Sequence, residues 1–176
     1  MSLGGLETWN SSTDCCQWNR VRCHSRSSSQ EVTGLDLYSL LPSVALNTSF
    51  SEIPGTGFSN LSNLVYLDMW QNSFNGSIPP QLLHLRHLEY LDLSNNLIEG
   101  TISNDVVGLK SLKQLILDEN FIRGEIPAGI GNLTELHKLS LRGNKFSGMD
   151  TIVSVATEGA RNTGPGEQCT VWRDSK

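Results

Sequence analysis

Apolar positions recur every 24 residues between residues 61 and 148, and no insertion interrupts the pattern over four copies. A fixed period of this length predicts a solenoid in which each copy is one turn, because so short a unit cannot bury its apolar side alone. Seven positions keep their character, five apolar, one asparagine and one glycine: Leu61, Leu85, Leu109 and Leu133; Leu64, Leu88, Leu112 and Leu136; Leu67, Leu91, Leu115 and Leu139; Met69, Leu93, Leu117 and Leu141; Asn72, Asn96, Asn120 and Asn144; Phe74, Ile98, Ile122 and Phe146; Gly76, Gly100, Gly124 and Gly148.

Within each copy, the segment Leu67-x-Met69 and its equivalents alternate between apolar and polar positions, as a short strand does. Stacking the copies places these strands side by side in a parallel sheet that lines one wall of the solenoid. Residues Val32 to Leu37 supply an earlier strand of the same kind. The sequence therefore predicts an α/β repeat solenoid of about five turns.

The repeated asparagine is polar, yet it lies among apolar positions of the unit. A buried amide needs partners for its carbonyl oxygen and for its NH2 group. Stacked turns provide them, since each side chain reaches backbone groups of its own turn and of the neighbouring one. We expect a ladder formed by Asn72, Asn96, Asn120 and Asn144.

The complete unit, LxxLxxLxLxxNxLxGxIPxxLxx, closely resembles the plant-type extracellular leucine-rich repeat. The match is best between Leu85 and Pro127, with Ser103 in place of one proline. The resemblance implies a right-handed horseshoe whose concave face carries the parallel sheet.

The first 30 residues resemble the amino-terminal cap of the same family, through Leu6, Trp9-Asn10 and the run Asp14-Cys15-Cys16-x-Trp18-x-x-Val21-x-Cys23. The resemblance implies a disulfide between Cys16 and Cys23, with Trp9 and Trp18 as a lid over the first turn. A metal site beside His24 is the alternative, but no second ligand pair accompanies it. Arg20 stands where the family often has glycine, which places the tight turn of the cap in question.

Four regions follow from these patterns: an incomplete cap (1–30), an irregular first repeat (31–60), the regular array (61–148) and a tail (149–176) that we expect to be disordered. We expect polar loops at Ser25–Gln30 and, as an insertion on the outer side, at Ser43–Gly57. The family cap has a further upstream helix and cysteine, so Cys15 is expected to lack a partner. Together with the absence of a signal peptide, this predicts a chain truncated at its front.

Composition adds limits on the compartment and on the partners. The net charge of −5 gives no electrostatic footprint for nucleic acid, and no apolar run is long enough to span a membrane. Five acceptor sequences for N-linked glycans favour an extracellular or cell-surface location: Asn10, Asn47, Asn60, Asn75 and Asn132.

Candidate binding residues are those that alternate with the buried leucines and face out of the concave wall. Tyrosine, tryptophan and arginine dominate binding energy at interfaces, so Trp70 beside Tyr66 and Tyr90 is the best anchor. Asp68 and Asp92 are also explained by a common repeat sequence, and Asp118 by an ion pair with Arg142. The predicted columns are Tyr66, Tyr90, Gln114 and Lys138; Asp68, Asp92, Ile116 and Ser140; Trp70, Ser94, Asp118 and Arg142; and Gln71, Asn95, Glu119 and Gly143.

Catalysis finds no support in the sequence. His84 and His87 lie among leucines without a cysteine or a clear carboxylate partner, and we expect them to be solvated on the outer wall. His137 neighbours a strand, and no nucleophile–base group or phosphate-binding loop is present. We expect no enzyme activity, no cofactor and no metal.

The family resemblance implies a recognition module of a plant receptor-like protein or receptor kinase, acting in signalling or defence. The expected partners are a peptide, protein or glycan ligand and a co-receptor kinase, at the cell surface. Two alternatives remain open from the sequence. One is a secreted inhibitor resembling the polygalacturonase-inhibiting proteins, and the other is a non-functional truncated product.

Overall fold

The computed structural model describes residues 12–26, 29–40 and 51–147, and the tail 149–176 lies outside them. Its main sheet has six strands in the order β1-β2-β4-β6-β7-β9, where β1 and β2 form an antiparallel hairpin and all later neighbours are parallel. Two flanking sheets pair β3 with β5 and β8 with β10. The strands are Val21–Arg26 (β1), Ser29–Asp36 (β2), Ser51–Glu52 (β3), Tyr66–Asp68 (β4), Phe74–Asn75 (β5), Tyr90–Asp92 (β6), Gln114–Ile116 (β7), Arg123–Gly124 (β8), Lys138–Ser140 (β9) and Lys145–Phe146 (β10).

The parallel sheet confirms the predicted stacking. Leu67 of β4 pairs with Leu91 of β6, which pairs with Leu115 of β7, which pairs with Leu139 of β9. In the described residues, one 3₁₀-helix (Cys15–Gln17) precedes β1, and the connections between later strands contain three more (Leu82–His84, Asn104–Gly108 and Ala128–Asn132) and one α-helical turn (α1, Gly55–Phe58). No helix in the described segments has the length and apolar character needed to cross a membrane.

The asparagine ladder is formed as predicted. Asn96 is 5% exposed; its Nδ2 donates to the carbonyl oxygens of Leu93 (3.1 Å) and Ser94 (3.1 Å) in its own turn and of Met69 (3.0 Å) in the previous one. Its Oδ1 accepts from the backbone N–H of Phe74 at 3.0 Å. Each amide therefore ties two turns together, and the same pattern recurs at Asn72, Asn120 and Asn144.

The cap contains the expected disulfide between Cys16 and Cys23, and Cys15 is a free thiol. Arg20 adopts the left-handed turn at φ 69°, although it is not glycine. Its Nη1 donates to the carbonyl oxygens of Tyr38 (2.7 Å) and Asp36 (3.4 Å), which secures the turn to the following strand. Trp9 lies outside the described residues.

Two predicted loops are wrong in the part of the chain that the structure describes. The expected polar loop Ser25–Gln30 is largely strand, because β1 and β2 extend towards each other as a hairpin whose backbone groups pair. The expected insertion loop Ser43–Gly57 is ordered from Ser51 onward as β3 and α1, since buried Ile53 and Phe58 join the core. Residues 43–50 lie outside the described segments.

Gly108 marks a close approach of two turns that the repeat pattern does not reveal. A Cβ atom here would lie 2.5 Å from the backbone carbonyl oxygen of Leu83 in the previous turn. We expect Gly108→Ala to lower the free energy of unfolding by about 1–3 kcal/mol, because backbone must move to admit the methyl group. The measurement is denaturant unfolding of the purified chain.

Gly131→Ala is the matched control, because a Cβ atom there meets nothing within 4 Å. It should leave stability unchanged or raise it by up to about 1 kcal/mol through reduced entropy of the unfolded chain. Equal effects of the two substitutions would contradict the close approach.

Candidate functional site

The concave face consists of the side chains that alternate with the buried leucines of β2, β4, β6, β7 and β9. Trp70 is 39% exposed at this face, and Gln71, Glu119, Lys138 and Arg142 are also exposed. Some side chains of the predicted columns are therefore exposed to solvent on the concave face, but others are not. Four predicted contact residues are buried: Asp92, Ser94, Ile116 and Ser140.

Acidic side chains form a row across neighbouring strands and are held by hydrogen bonds. Asp68 accepts from the backbone N–H of Trp70 at 3.0 Å and from the hydroxyl of Tyr66 at 3.3 Å. Asp92 accepts from the backbone N–H of Ser94 at 2.9 Å and from Tyr90 at 3.2 Å. These bonds fix the carboxylates in position without neutralising them.

The expected ion pair between Asp118 and Arg142 is wrong. Asp118 instead accepts from the Arg142 backbone N–H at 2.7 Å and from the Ser140 hydroxyl at 2.8 and 2.7 Å. The ion pairs found in the described segments are Arg22–Asp36 and Lys113–Glu89. No basic side chain of these segments lies within ion-pair distance of the Asp118 carboxylate. The half-buried Asp118 thus accepts hydrogen bonds from the end of β9 and the residue two positions after it, and no cationic side chain of the described segments pairs with it.

Two rows of cation–π and aromatic contacts begin at the cap and extend onto the face. Tyr66 and Tyr90 are stacked, with ring centroids 4.5 Å apart, and the guanidinium of Arg22 lies over Tyr66 at 4.2 Å. In the second row the guanidinium of Arg20 lies over Tyr38 at 4.6 Å, and the ring of Trp70 is tilted by 38° to that of Tyr38, with centroids 6.5 Å apart. Sequence reasoning missed Arg20, Arg22, Asp36 and Tyr38, because they precede the regular repeats.

The outermost column follows from backbone geometry. Gln71, Asn95 and Glu119 have φ values of 55°, 54° and 52°, and Gly143 completes the column at 65°. This left-handed conformation is uncommon outside glycine and turns each chain sharply after its strand. The side chains of Gln71, Asn95 and Glu119 consequently project into solvent at the rim of the face. The sequence signal was the Asn and Gly at two of these positions.

Burial changes the acid–base behaviour of the stacked tyrosines. Desolvation, assisted by Asp68 and Asp36, raises the pKa of Tyr66 to about 12, and desolvation with Asp92 and Asp68 likewise raises the pKa of Tyr90. Desolvation, followed by the charge of Asp92, also raises the pKa of the Asp68 carboxyl, against the backbone hydrogen bond from Trp70. The face thus favours neutral phenols beside partly desolvated carboxylates.

We expect an alkaline loss of stability from Tyr66. The pKa of Tyr66 is about 12 in the fold against an ordinary value of 10.0, so its neutral form contributes stability that is complete below pH 10.0 and is lost as pH rises towards about 12. Ultraviolet titration of tyrosinate should show a late component from Tyr66 and Tyr90, which Tyr66→Phe should reduce but not abolish. Titration of every tyrosine near the ordinary value in the folded chain would contradict this environment.

The remaining candidates lie away from the concave columns or outside the described residues. His84 and His87 are exposed, in agreement with the prediction of solvated side chains, and His137 is exposed as well. Asp14, Cys15 and Cys16 are close enough to hold a metal, but the Cys16 sulfur is in the disulfide. Of the glycan acceptors, Asn60 and Asn132 are exposed, Asn75 has its Oδ1 buried without a partner, and Asn10 and Asn47 lie outside the described segments.

Known proteins share both the sequence pattern and this architecture. Receptor-like protein 46 of Arabidopsis thaliana is 47% identical over 74 residues, which are 42% of this chain and 9% of that protein. A chain of the Arabidopsis BIR3–SERK2 complex is 34% identical with a TM-score of 0.71, covering 81% of this chain and 74% of that one. The ectodomain of the Arabidopsis receptor kinase GASSHO1/SCHENGEN3, in complex with CASPARIAN STRIP INTEGRITY FACTOR 2, is 30% identical with a TM-score of 0.70, covering 81% and 16%.

Two family models match the chain itself. The model described as a leucine rich repeat N-terminal domain matches residues 1–24, which include both cysteines of the cap disulfide. The model described as a leucine-rich repeat region matches residues 27–155, which include every parallel strand of the main sheet. The chain therefore belongs to the leucine-rich repeat family and resembles the ectodomains of plant receptor-like proteins and receptor kinases.

Proposed function

We propose that this chain is a ligand-recognition module of a plant receptor-like protein and binds a peptide or protein on its concave face. The observation that carries the proposal is the exposed ring of Trp70, set in a row of fixed aromatic and charged side chains. Tryptophan and tyrosine are enriched among residues that dominate binding energy, and rigid rings lose little entropy on binding. Five parallel strands form the described part of this face: β2, β4, β6, β7 and β9.

The chemistry of the face favours binding over catalysis. Its carboxylates accept hydrogen bonds from hydroxyl and backbone groups of their own strands, as at Asp68 and Asp92. The histidines of the repeats are exposed and lie outside these columns. We therefore propose a non-enzymatic role in which fixed polar groups orient a partner.

The outer wall supports an extracellular setting for the proposed module. Exposed Asn60 and Asn132 occupy the same position of the repeat, at the ends of helical turns opposite the sheet. Glycans at these two sites would leave the concave face clear. The Cys16–Cys23 disulfide is typical of an oxidising compartment, which agrees with secretion.

The test is selection of peptides from a random twelve-residue display library on the immobilised full chain, followed by affinity measurement with variants. Trp70→Ala should weaken the selected peptides about tenfold or more, as expected for a central anchor (about 1.4 kcal/mol). Phe121→Ala is the matched control, because Phe121 is 44% exposed but precedes β8 on the flank. Equal affinity of the wild-type chain and Trp70→Ala for every selected peptide would overturn the concave site.

A further inference from the structure

We infer that the concave face accepts an arginine side chain of its peptide partner above Ser94, between the ring of Trp70 and the carboxylate of Asp118. The inference rests on the proposed function and specifies the ligand chemistry of the same face. It commits to one occupant, a guanidinium, because the molecule already binds that group in the same way at its first strand.

Arg22 provides this internal precedent. Its Nε and Nη2 donate to the two carboxylate oxygens of Asp36 at 3.0 and 2.9 Å, while its guanidinium lies 4.2 Å from the centre of the Tyr66 ring. The face thus holds a planar cation by stacking it on an aromatic ring and pairing it with a carboxylate. Arginine suits this arrangement better than lysine, whose ammonium has no planar fork.

The row that contains Trp70 has a second aromatic ring and carboxylate between which a guanidinium could bind. Trp70, Ser94 and Asp118 each lie two residues after one of three successive parallel strands, and the backbone hydrogen bonds from Gln71 N–H to Ser94 and from Asn95 N–H to Asp118 continue the register there. Strands lie about 4.8 Å apart, so the backbone positions of Trp70 and Asp118 are separated by roughly 10 Å. Ser94 is the smallest side chain of the three and is buried, so the ring and the carboxylate rise on either side of it.

Charge completes the complementarity. Asp118 receives its hydrogen bonds from Ser140 and from a backbone N–H, and within the described residues no lysine or arginine pairs with it. Asp68, Asp92 and exposed Glu119 surround the same position and add negative potential. Lys138 and Arg142 lie on the far side, at β9 and just after it. A bound peptide should therefore place its basic residue between Trp70 and Asp118, away from β9.

The probes are the random twelve-residue display library and, for the best binder, synthetic peptides with arginine or its neutral isostere citrulline at the selected position. We expect arginine to be enriched in the selected peptides above lysine, and citrulline to weaken binding about tenfold. Asp118→Asn should remove most of that difference, whereas Glu125→Gln, at an exposed position away from the sheet, should preserve it.

The outcomes separate this inference from the proposed function. Peptides that lose affinity with Trp70→Ala but show no arginine enrichment would overturn the guanidinium site and leave concave recognition intact. Peptides whose affinity changes with neither Trp70→Ala nor Asp118→Asn would overturn both the concave binding site and the guanidinium site. Should Asp118→Asn fail to fold, the arginine–citrulline difference on the wild-type chain decides alone: a difference supports the site, and equal affinity refutes it.

Discussion

Replacement of Asn96 by alanine should lower the free energy of unfolding by about 3–5 kcal/mol, because it leaves several buried backbone groups without partners. The amide bonds the carbonyl oxygens of Met69, Leu93 and Ser94 and the N–H of Phe74, all at 3.0–3.1 Å. Met69 and Phe74 belong to the previous turn, so the substitution also weakens the coupling between turns. Denaturant unfolding measures the change.

Asn104→Ala is the matched control, since Asn104 is exposed at the start of a 3₁₀-helix. Its effect should remain within about 0.5 kcal/mol, as for surface substitutions in general. Asn96→Asp should also destabilise strongly, because a carboxylate cannot donate to the three carbonyl oxygens. Similar stabilities of the Asn96→Ala and Asn104→Ala chains would refute the ladder.

The second large effect is expected for Leu91→Ala. Leu91 is fully buried in β6, at the centre of the parallel sheet, between Leu67 and Leu115. Removing its side chain leaves a cavity that the neighbouring turns cannot fill, at a cost of about 3–4 kcal/mol. For a chain of this size the melting temperature should fall by about 10 °C.

Leu97→Ala serves as the comparison because Leu97 is only half-buried, between Asn96 and Ile98. The same substitution at Leu97 should lower the free energy of unfolding by only about 1 kcal/mol, because this side chain removes less apolar surface from water than Leu91 does. Calorimetric melting of the two variants under identical conditions measures the difference. A drop at Leu97 as large as that at Leu91 would contradict the assigned core.

The period and the asparagines were sufficient to predict the parallel sheet, its register and the ladder. Each of these features depends on a choice that every turn repeats, so the sequence presents it four times. The hairpin of the cap and the order at Ser51–Phe58 were not predicted, because they occur once and depend on packing against neighbours. The close approach at Gly108 was not predicted for the same reason, because the equivalent residues of the neighbouring repeats, His84 and Asn132, are not glycines.

The sequence predicted which side chains face the concave side, but not how far each is exposed to solvent. Alternation along a strand places Asp92 and Ser94 at the concave face, yet both are buried, and the Asp92 carboxylate accepts a hydrogen bond from the hydroxyl of Tyr90. The roles of Arg20 and Arg22 were also hidden, because cation–π contacts to Tyr38 and Tyr66 join residues of the cap to residues of the repeats. Such contacts require the relative position of two elements, which a repeat pattern does not specify.

Hydrogen exchange of side-chain amides, followed by nuclear magnetic resonance, tests the stacked array most directly. The Nδ2 protons of Asn96 and Asn120 are buried and bonded across turns, so they should exchange far more slowly than those of exposed Asn104. Exchange of Asn96 and Asn120 as fast as that of Asn104 in the folded chain would contradict the stacking on which the concave face depends.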